Sequence, residues 1–227
     1  MNKIKGLILK CLSKTSYNEP DMFLVEKSEN DSLTCLDIGC GTRKVKGCIG
    51  LDKADLPGVD VICDFNKEPL PFADNSMDIV YTNGGLGMSE DLGRIMGEIH
   101  RVLKKNTGLA KIYVPHFSNP YAYSAYTNKT NFGYFTLDSF VKKNKQKSEW
   151  KIPDWYQDFY FEITDKKLFF RSEFKLLHIP FKILQYLVNK NDSMARFYEF
   201  HLCYIFPAYG IKVEMRPDRD DGTRNSI

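Results

Sequence analysis

No stretch of this chain approaches the ~20 consecutive apolar residues that a helix needs to cross a bilayer, so a membrane span is not expected. No Cys-x-x-Cys pair occurs among its six cysteines, Cys11, Cys35, Cys40, Cys48, Cys63 and Cys203. Several of them sit inside apolar strand candidates, a pattern that suits buried thiols in a reducing, cytoplasmic setting. The four histidines, His100, His116, His178 and His201, stand at no paired spacing with Cys, Asp or Glu. No metal is therefore expected, and a metal-dependent enzyme is disfavoured. Charge of one sign is not concentrated: 32 Lys and Arg interleave with 29 Asp and Glu for a net +3, which leaves no long basic face for nucleic acid. The run Lys142-Lys143-Asn144-Lys145-Gln146-Lys147 is locally basic and reads first as a solvated loop, second as a contact for an anionic acceptor. The apolar run at the start, Met1 to Lys10, is interrupted by Lys10 and lacks a small-residue cleavage site, so a signal peptide is not expected. No internal repeat is evident.

What is present fits one domain with a moderate insertion: 227 residues bury well over half of their unfolded surface without a staple. The most informative stretch is Leu36-Asp37-Ile38-Gly39-Cys40-Gly41-Thr42-Arg43-Lys44, a short apolar strand running into a turn with two glycines. Gly39 and Gly41 permit a tight turn that brings backbone amides against a nucleotide-like ligand. A second strand, Ile49-Gly50-Leu51-Asp52, ends in the carboxylate that grips ribose in α/β nucleotide folds. A third, Val59 to Phe65, ends in Asp64 and Phe65. Successive strands ending so converge on one edge of a parallel sheet, where open α/β folds bind ligands. A dinucleotide oxidoreductase would want a third glycine where Lys44 stands, and Asp37 would repel a pyrophosphate while attracting an α-amino group. An NAD-dependent dehydrogenase is the weaker reading.

These residues, with Leu70-Pro71-Phe72-Ala73-Asp74-Asn75-Ser76-Met77-Asp78-Ile79-Val80, make residues 33 to 117 resemble the class I S-adenosylmethionine-dependent methyltransferases. The resemblance implies an α/β, Rossmann-like, doubly wound sheet of seven strands, mostly parallel, with an antiparallel last strand and an aromatic-rich insertion after strand five. It implies S-adenosylmethionine as cofactor and S-adenosylhomocysteine as product. By position, Asp37, Gly39 and Gly41 would meet the methionine part, Asp52 the ribose, and Asp64 with Phe65 the adenine; Lys53 and Asn83 complete the expected cofactor set. The following Asp-Phe-Asn-Lys-x-Pro-Leu-Pro-Phe, the later Pro115-His116-Phe117-Ser118, Phe197-Tyr198-Glu199 and Ile205-Phe206-Pro207-Ala208 resemble a branch associated with cell-envelope glycans and related small molecules.

The organisation expected is an N-terminal cap and connector over 1–32, the methyltransferase-like domain over 33–216 with its insertion at about 117–160, and a flexible tail over 217–227. Between Gly41 and Asp52 lie too few residues for a full helix, so a turn or one short helix must serve. Leu92, Ile95, Met96, Ile99, Val102 and Leu103 recur at helical spacing, and Asn106-Thr107-Gly108 reads as the stop. A long strand is expected over Phe159 to Phe170, helices over Pro180 to Asn189 and Ser193 to Phe206, and a closing strand over Ile211 to Met215. The segment Gly84-Gly85-Leu86-Gly87-Met88-Ser89-Glu90, where relatives carry a Glu-His pair, reads as a mobile loop beside the cofactor.

Methyl transfer is an in-line displacement that mainly needs alignment and exclusion of water. If the acceptor is protonated a base is required, and His116, directly after the fifth strand, is the candidate; its alternative role is to hold its loop. His100 is expected to be structural, and His178 and His201 to lie in the core. Tyr121, Tyr123, Tyr126 and Tyr134 in the insertion offer flat surface for a sugar or aromatic acceptor. Ala125-Tyr126-Thr127-Asn128-Lys129 stands where the resembling branch has Asp-Pro-Thr-His-Lys, leaving Asn128 as an acceptor contact. The expected partner is a small-molecule acceptor, first a sugar, sugar phosphate or nucleotide-linked capsule or lipopolysaccharide precursor methylated on oxygen. A catalytically inactive partner subunit is the alternative, RNA or protein methylation is less favoured, and the oligomeric state is left open.

Overall fold

The computed structural model describes residues 33–172 and 175–218. The expected N-terminal cap lies outside the described residues. Seven strands form one sheet in the order β3-β2-β1-β4-β5-β7-β6. They are β1 (Cys35–Ile38), β2 (Ile49–Asp52), β3 (Val61–Ile62), β4 (Ile79–Asn83), β5 (Leu109–Pro115), β6 (Tyr160–Phe169) and β7 (Gly210–Asp218). The first five are mutually parallel, and β7 runs antiparallel between β5 and β6. This is the expected doubly wound, mostly parallel sheet with an antiparallel last strand. The centre explains itself: Leu36, Ile38, Val80 and Ile112 are fully buried, as strands covered on both faces require. Strand β7 extends to Asp218, past the expected domain end, and Asp218 pairs there with Lys142 and Lys145. The basic run is thus partly pinned against the sheet.

Register also corrects the thiol expectation. Leu36 stands opposite Ile49, so Cys35 on β1 and Cys48, just before β2, lie side by side. They form a disulfide with Cα atoms 4.7 Å apart, while Cys40, Cys63 and Cys203 are free and buried. With two cysteines oxidised, the thiol argument for a reducing compartment loses its ground. No described helix is long and apolar enough to cross a membrane.

The β1–β2 crossover contains turns and no helix, as its length demanded. Helix α1 (Leu92–Val102) begins where the Asp91 carboxylate accepts from the Arg94 N–H at 3.0 Å, and it buries Ile95, Met96, Ile99 and Val102 against the sheet. Asn106 adopts a positive φ of 74°, and the Gly108 N–H returns to the Lys104 carbonyl at 2.9 Å, which closes the turn into β5. Arg101 on this helix donates to the Leu70 and Phe72 carbonyls, to Asp74 and twice to Glu98, while Glu98 accepts from the Leu70 N–H. That fork pins Leu70 to Asp74 onto the helix and sets the approach to β4.

The insertion divides. Phe132, Tyr134, Phe135, Leu137, Phe140 and Val141 are buried in the main core, whereas short helix α2 (Pro120–Ser124) leaves Tyr121 and Tyr123 outside. Helices α3 (His178–Val188) and α4 (Asp192–His201) fill the β6–β7 connection. The second ends earlier than its expected boundary because Leu202 caps it and a turn follows. His178 and His201 are exposed and not in the core: α3, which His178 begins, turns much of its apolar stripe outward, and on α4 Phe197 and Phe200 face solvent beside His201. His100 is sandwiched by Phe159 and Phe161, a packing role as expected.

Candidate cofactor site

The parallel strands β1, β2, β3, β4 and β5 deliver Gly39, Lys53, Asp64, Gly84 and His116 to the same sheet edge. Gly39, with φ of 69°, packs so closely on the Gly85 backbone that a Cβ would lie 2.8 Å from the Gly85 Cα. A Cβ on Gly85 would in turn meet the Ile38 carbonyl at 2.6 Å. Two backbones from β1 and β4 therefore touch at the mouth of the sheet, a contact only glycine permits. The Gly84-to-Glu90 segment is not a mobile loop: Gly85–Met88 form a 3-10 turn with Gly85, Leu86 and Gly87 buried. The insertion clamps that turn, because the Lys129 and Thr130 N–H groups donate to the Gly87 carbonyl and the Thr130 hydroxyl to the Ser89 carbonyl.

The turn after β1 keeps its amides for itself. Gly39 and Cys40 donate to the Leu51 carbonyl at 2.8 and 3.2 Å, and Gly41 donates to Asp52 Oδ2 at 2.9 Å. The expectation that these amides face a ligand is corrected, since short crossovers tie the turn directly to β2. Asp52 also accepts from the Ala54 N–H through Oδ1 at 3.0 Å, so it braces the turn and the β2 end together. Asp64 accepts from Asn66 N–H and pairs with Lys67; burial raises its carboxyl pKa, but these donors outweigh that and hold it below the ordinary range. Asn66, which sequence reasoning passed over, links two loops: its amide donates to the Met88 carbonyl at 3.0 Å and its carbonyl accepts from the Glu90 N–H at 2.9 Å. Only the cross-loop partners reveal that role. Gly39, Asp52, Lys53, Asp64, Phe65, Asn66 and Met88 line one crevice.

Asp37 is fully buried. Its Oδ2 accepts from the Val45 N–H at 2.8 Å, while Oδ1 has no partner. Burial first, and the nearby Asp52 charge as well, push its pKa up to about 6 against the pull of the Val45 bond and Lys44. Burial and the same two carboxylates push the Cys40 thiol up to about 11, so it is no nucleophile near neutral pH. Thr82 Oγ1 on β4 and Ser89 Oγ beyond it are also buried without partners. Buried polar atoms are seldom left so, and these three call for a partner the folded chain does not itself supply.

Elsewhere the predicted residues separate. His116 has no exposed surface; its Nδ1 meets Ser118 Oγ at 2.7 Å and its Nε2 meets Glu199 Oε1 at 3.0 Å. Both ring nitrogens are thus engaged, and Glu199 also accepts from the Tyr134 N–H. Tyr134 is a core residue whose hydroxyl donates to Asp192 at 2.9 Å and whose ring carries Lys166 at 4.1 Å. Asn128 donates to the Ala122 carbonyl at 3.0 Å and sits over Gly87, closing its own loop. Tyr121, Tyr123 and Tyr126 remain exposed, and Tyr121 borders a cavity of about 280 Å³ with Asn119, Arg171, Pro207 and Tyr209. Asn83 ends β4, backbone-paired with Tyr113 on β5. Among the described residues, no cluster of three or more His, Cys, Asp or Glu could hold a metal ion.

Residues 46–110 match the family described as a methyltransferase domain. Among solved structures, the chain is similar to the YcgJ protein from Bacillus subtilis at 14% identity, covering 97% of this chain and 100% of that one with a TM-score of 0.46. It is similar to an S-adenosylmethionine-dependent methyltransferase from Archaeoglobus fulgidus at 13% identity, with 94% and 91% covered and a TM-score of 0.46. A third, from Thermotoga maritima, shows 16% identity over 81% of each chain with a TM-score of 0.47. No curated protein matches the chain significantly. The sheet order is that of a doubly wound, Rossmann-like α/β fold, and residues 46–110 within it carry the methyltransferase-domain match. The crevice residues suit S-adenosylmethionine by their chemistry: Asp52 and Lys53 would meet ribose hydroxyls, and Asp64 with Phe65 an adenine amine and ring; Asp37 is not among the lining residues, but its buried, unpartnered oxygen would suit a cationic amino group.

Proposed function

We propose that the chain is a class I methyltransferase that moves the methyl group of S-adenosylmethionine to oxygen on a small acceptor, a sugar, sugar phosphate or nucleotide-linked envelope precursor. The observation that carries the methyl-transfer reading is the edge where Gly39 and Gly85 touch, with the orphaned oxygens of Asp37, Thr82 and Ser89 around them. When bound, the cofactor supplies an electrophilic methyl carbon on a sulfonium. The chain's own residues then have to orient and enclose. Asp37 holds a positive group, Gly39 and Gly85 let it approach backbone, and Asp52 keeps the turn and the ribose side in one register. The clamp of Lys129 and Thr130 on Gly87 fixes the Gly85–Met88 turn, whose Met88 lines the crevice.

His116 we assign as a positioning residue. Its bonds to Ser118 and Glu199 tie the end of β5 to α4, and Phe117 N–H is bonded to the Phe132 carbonyl in the same junction. The glycan-precursor acceptor is supported by the exposed tyrosines of the insertion and the cavity beside Tyr121. A second reading, a partner subunit without turnover, is favoured by that same engagement of His116, which leaves no evident base. The deciding assay incubates the purified chain alone with methyl-labelled cofactor and a panel of sugars, sugar phosphates and nucleotide sugars. Label transfer to one class supports the enzyme. Transfer to none, while a second methyltransferase gains activity on mixing, replaces it with the partner subunit.

A further inference from the structure

Helix α3 is turned the wrong way for a core helix. Ile179, Ile183 and Tyr186 are 71%, 56% and 73% exposed, at helical spacing on one outward stripe with Leu187. The turn after α4 extends this surface with Tyr204, Ile205 and Phe206, all exposed, and Phe206 reaches α3 through an edge contact with Phe181 at 6.4 Å. Isolated apolar residues on a surface need no explanation, but a continuous patch marks something that covers it. The charges around it say what. From residue 175 to 191 there is no Asp or Glu, while Lys182 on α3 and Lys190 just beyond its end are exposed. A second copy docking on the same face would bring these cations against apolar groups with no acid on the helix to meet them. An anionic bilayer receives both features at once, apolar side chains below the headgroups and ammonium groups among the phosphates. Tyr186 and Tyr204 suit the interface, with a flat apolar ring and a polar tip.

The placement is functional. Phe169 at the end of β6 pairs with Gly210, and Gly210 with Pro115 at the end of β5. Everything between Phe169 and Gly210, including α3 and the exposed turn, therefore leaves and re-enters the sheet at the edge where the cofactor crevice opens. We propose that α3 and the Tyr204–Phe206 turn dock this protein on an anionic lipid bilayer, with its methyl-transfer edge toward the membrane. The orientation rests on the reading under Proposed function; the docking does not. Docked so, the edge reaches an acceptor carried on a lipid without that acceptor leaving the bilayer.

The test is flotation of the purified full-length chain with phosphatidylcholine vesicles, with and without phosphatidylglycerol, beside a cofactor titration of the same samples. The wild-type chain is expected to float with the anionic vesicles and to be released by high salt. The double variant Ile183→Asp with Tyr186→Asp, and separately Lys182→Glu with Lys190→Glu, should each lower the bound fraction about tenfold, with cofactor affinity unchanged. Absence of flotation, or flotation that neither variant weakens, overturns the proposal. If instead the chain forms a concentration-dependent dimer that Ile183→Asp splits, and does not float, the face is a self-interface and the proposal is also overturned. Flotation without cofactor binding would keep the docking surface and remove the methyltransferase reading.

Discussion

Single residues carry the site's chemistry, and Asp37 is the most informative of them. Its carboxyl, pushed up to about 6 from an ordinary 3.8, is protonated in the folded, cofactor-free protein at pH values where the unfolded chain has lost that proton. For this group stability is therefore greatest below 3.8 and declines as pH rises through about 6. A cationic amino group placed on Asp37 needs the carboxylate, so cofactor binding should release a proton. Apparent affinity is expected to improve about tenfold per pH unit up to roughly pH 6 and to level off above it, measured by titration across pH. A flat profile that Asp37→Asn also shows would remove Asp37 from the contact. Gly85→Ala is the second test at this scale. Its Cβ would strike the Ile38 carbonyl at 2.6 Å, so a loss of ~1–3 kcal/mol in stability and a clear loss of cofactor affinity are expected. Unchanged melting and binding would show that the β1–β4 contact is loose. Asp37, Asp52 and Asp64 stood out in the sequence because each lies at the end of a short apolar strand or within two residues of it. Gly85, Asn66 and the fate of the turn amides were not, because their partners lie on other loops and only the folded chain brings them together.

At the scale of elements, strands were easier to read than the segments that join them. Period and apolar content located β1, β2, β4 and β5 closely, since buried parallel strands have little freedom in composition. Helix ends in the β6–β7 connection shifted because an outward apolar stripe leaves no polar face to mark the boundary. The insertion could not be divided into core and surface tyrosines, since both halves carry the same aromatic composition. Two elements can be tested directly. Arg101 joins α1 to the Leu70-to-Asp74 segment by bonds to two carbonyls and two carboxylates, so Arg101→Ala should cost about 2–3 kcal/mol in urea melts, with cofactor affinity per folded molecule preserved. A cost near zero would mean that the segment is held by packing alone. His116 joins β5 to α4: His116→Ala should lower turnover about 100-fold with cofactor affinity intact, and His116→Gln, which can still bond Ser118 and Glu199, should recover much of it. Failure of the Gln variant together with loss of one limb of the pH–rate profile would make the imidazole a base.

For the whole molecule, local signals account for the strands of the sheet, whereas the Cys35–Cys48 bridge, made possible by the β1–β2 register, was not encoded in them. Strand termini, short crossovers and the clamped Gly85–Met88 turn place three carboxylates, two touching glycines and three unpartnered oxygens on one edge. On the proposed function, such an edge takes a cationic, ribose-bearing, adenine-bearing ligand and not a pyrophosphate. The measurement that tests this most directly is calorimetric titration of the purified chain with S-adenosylmethionine, S-adenosylhomocysteine and NAD in turn. Micromolar binding of both sulfur compounds with none of NAD is predicted. Well-folded protein that binds neither sulfur compound, or that binds NAD instead, would contradict the account.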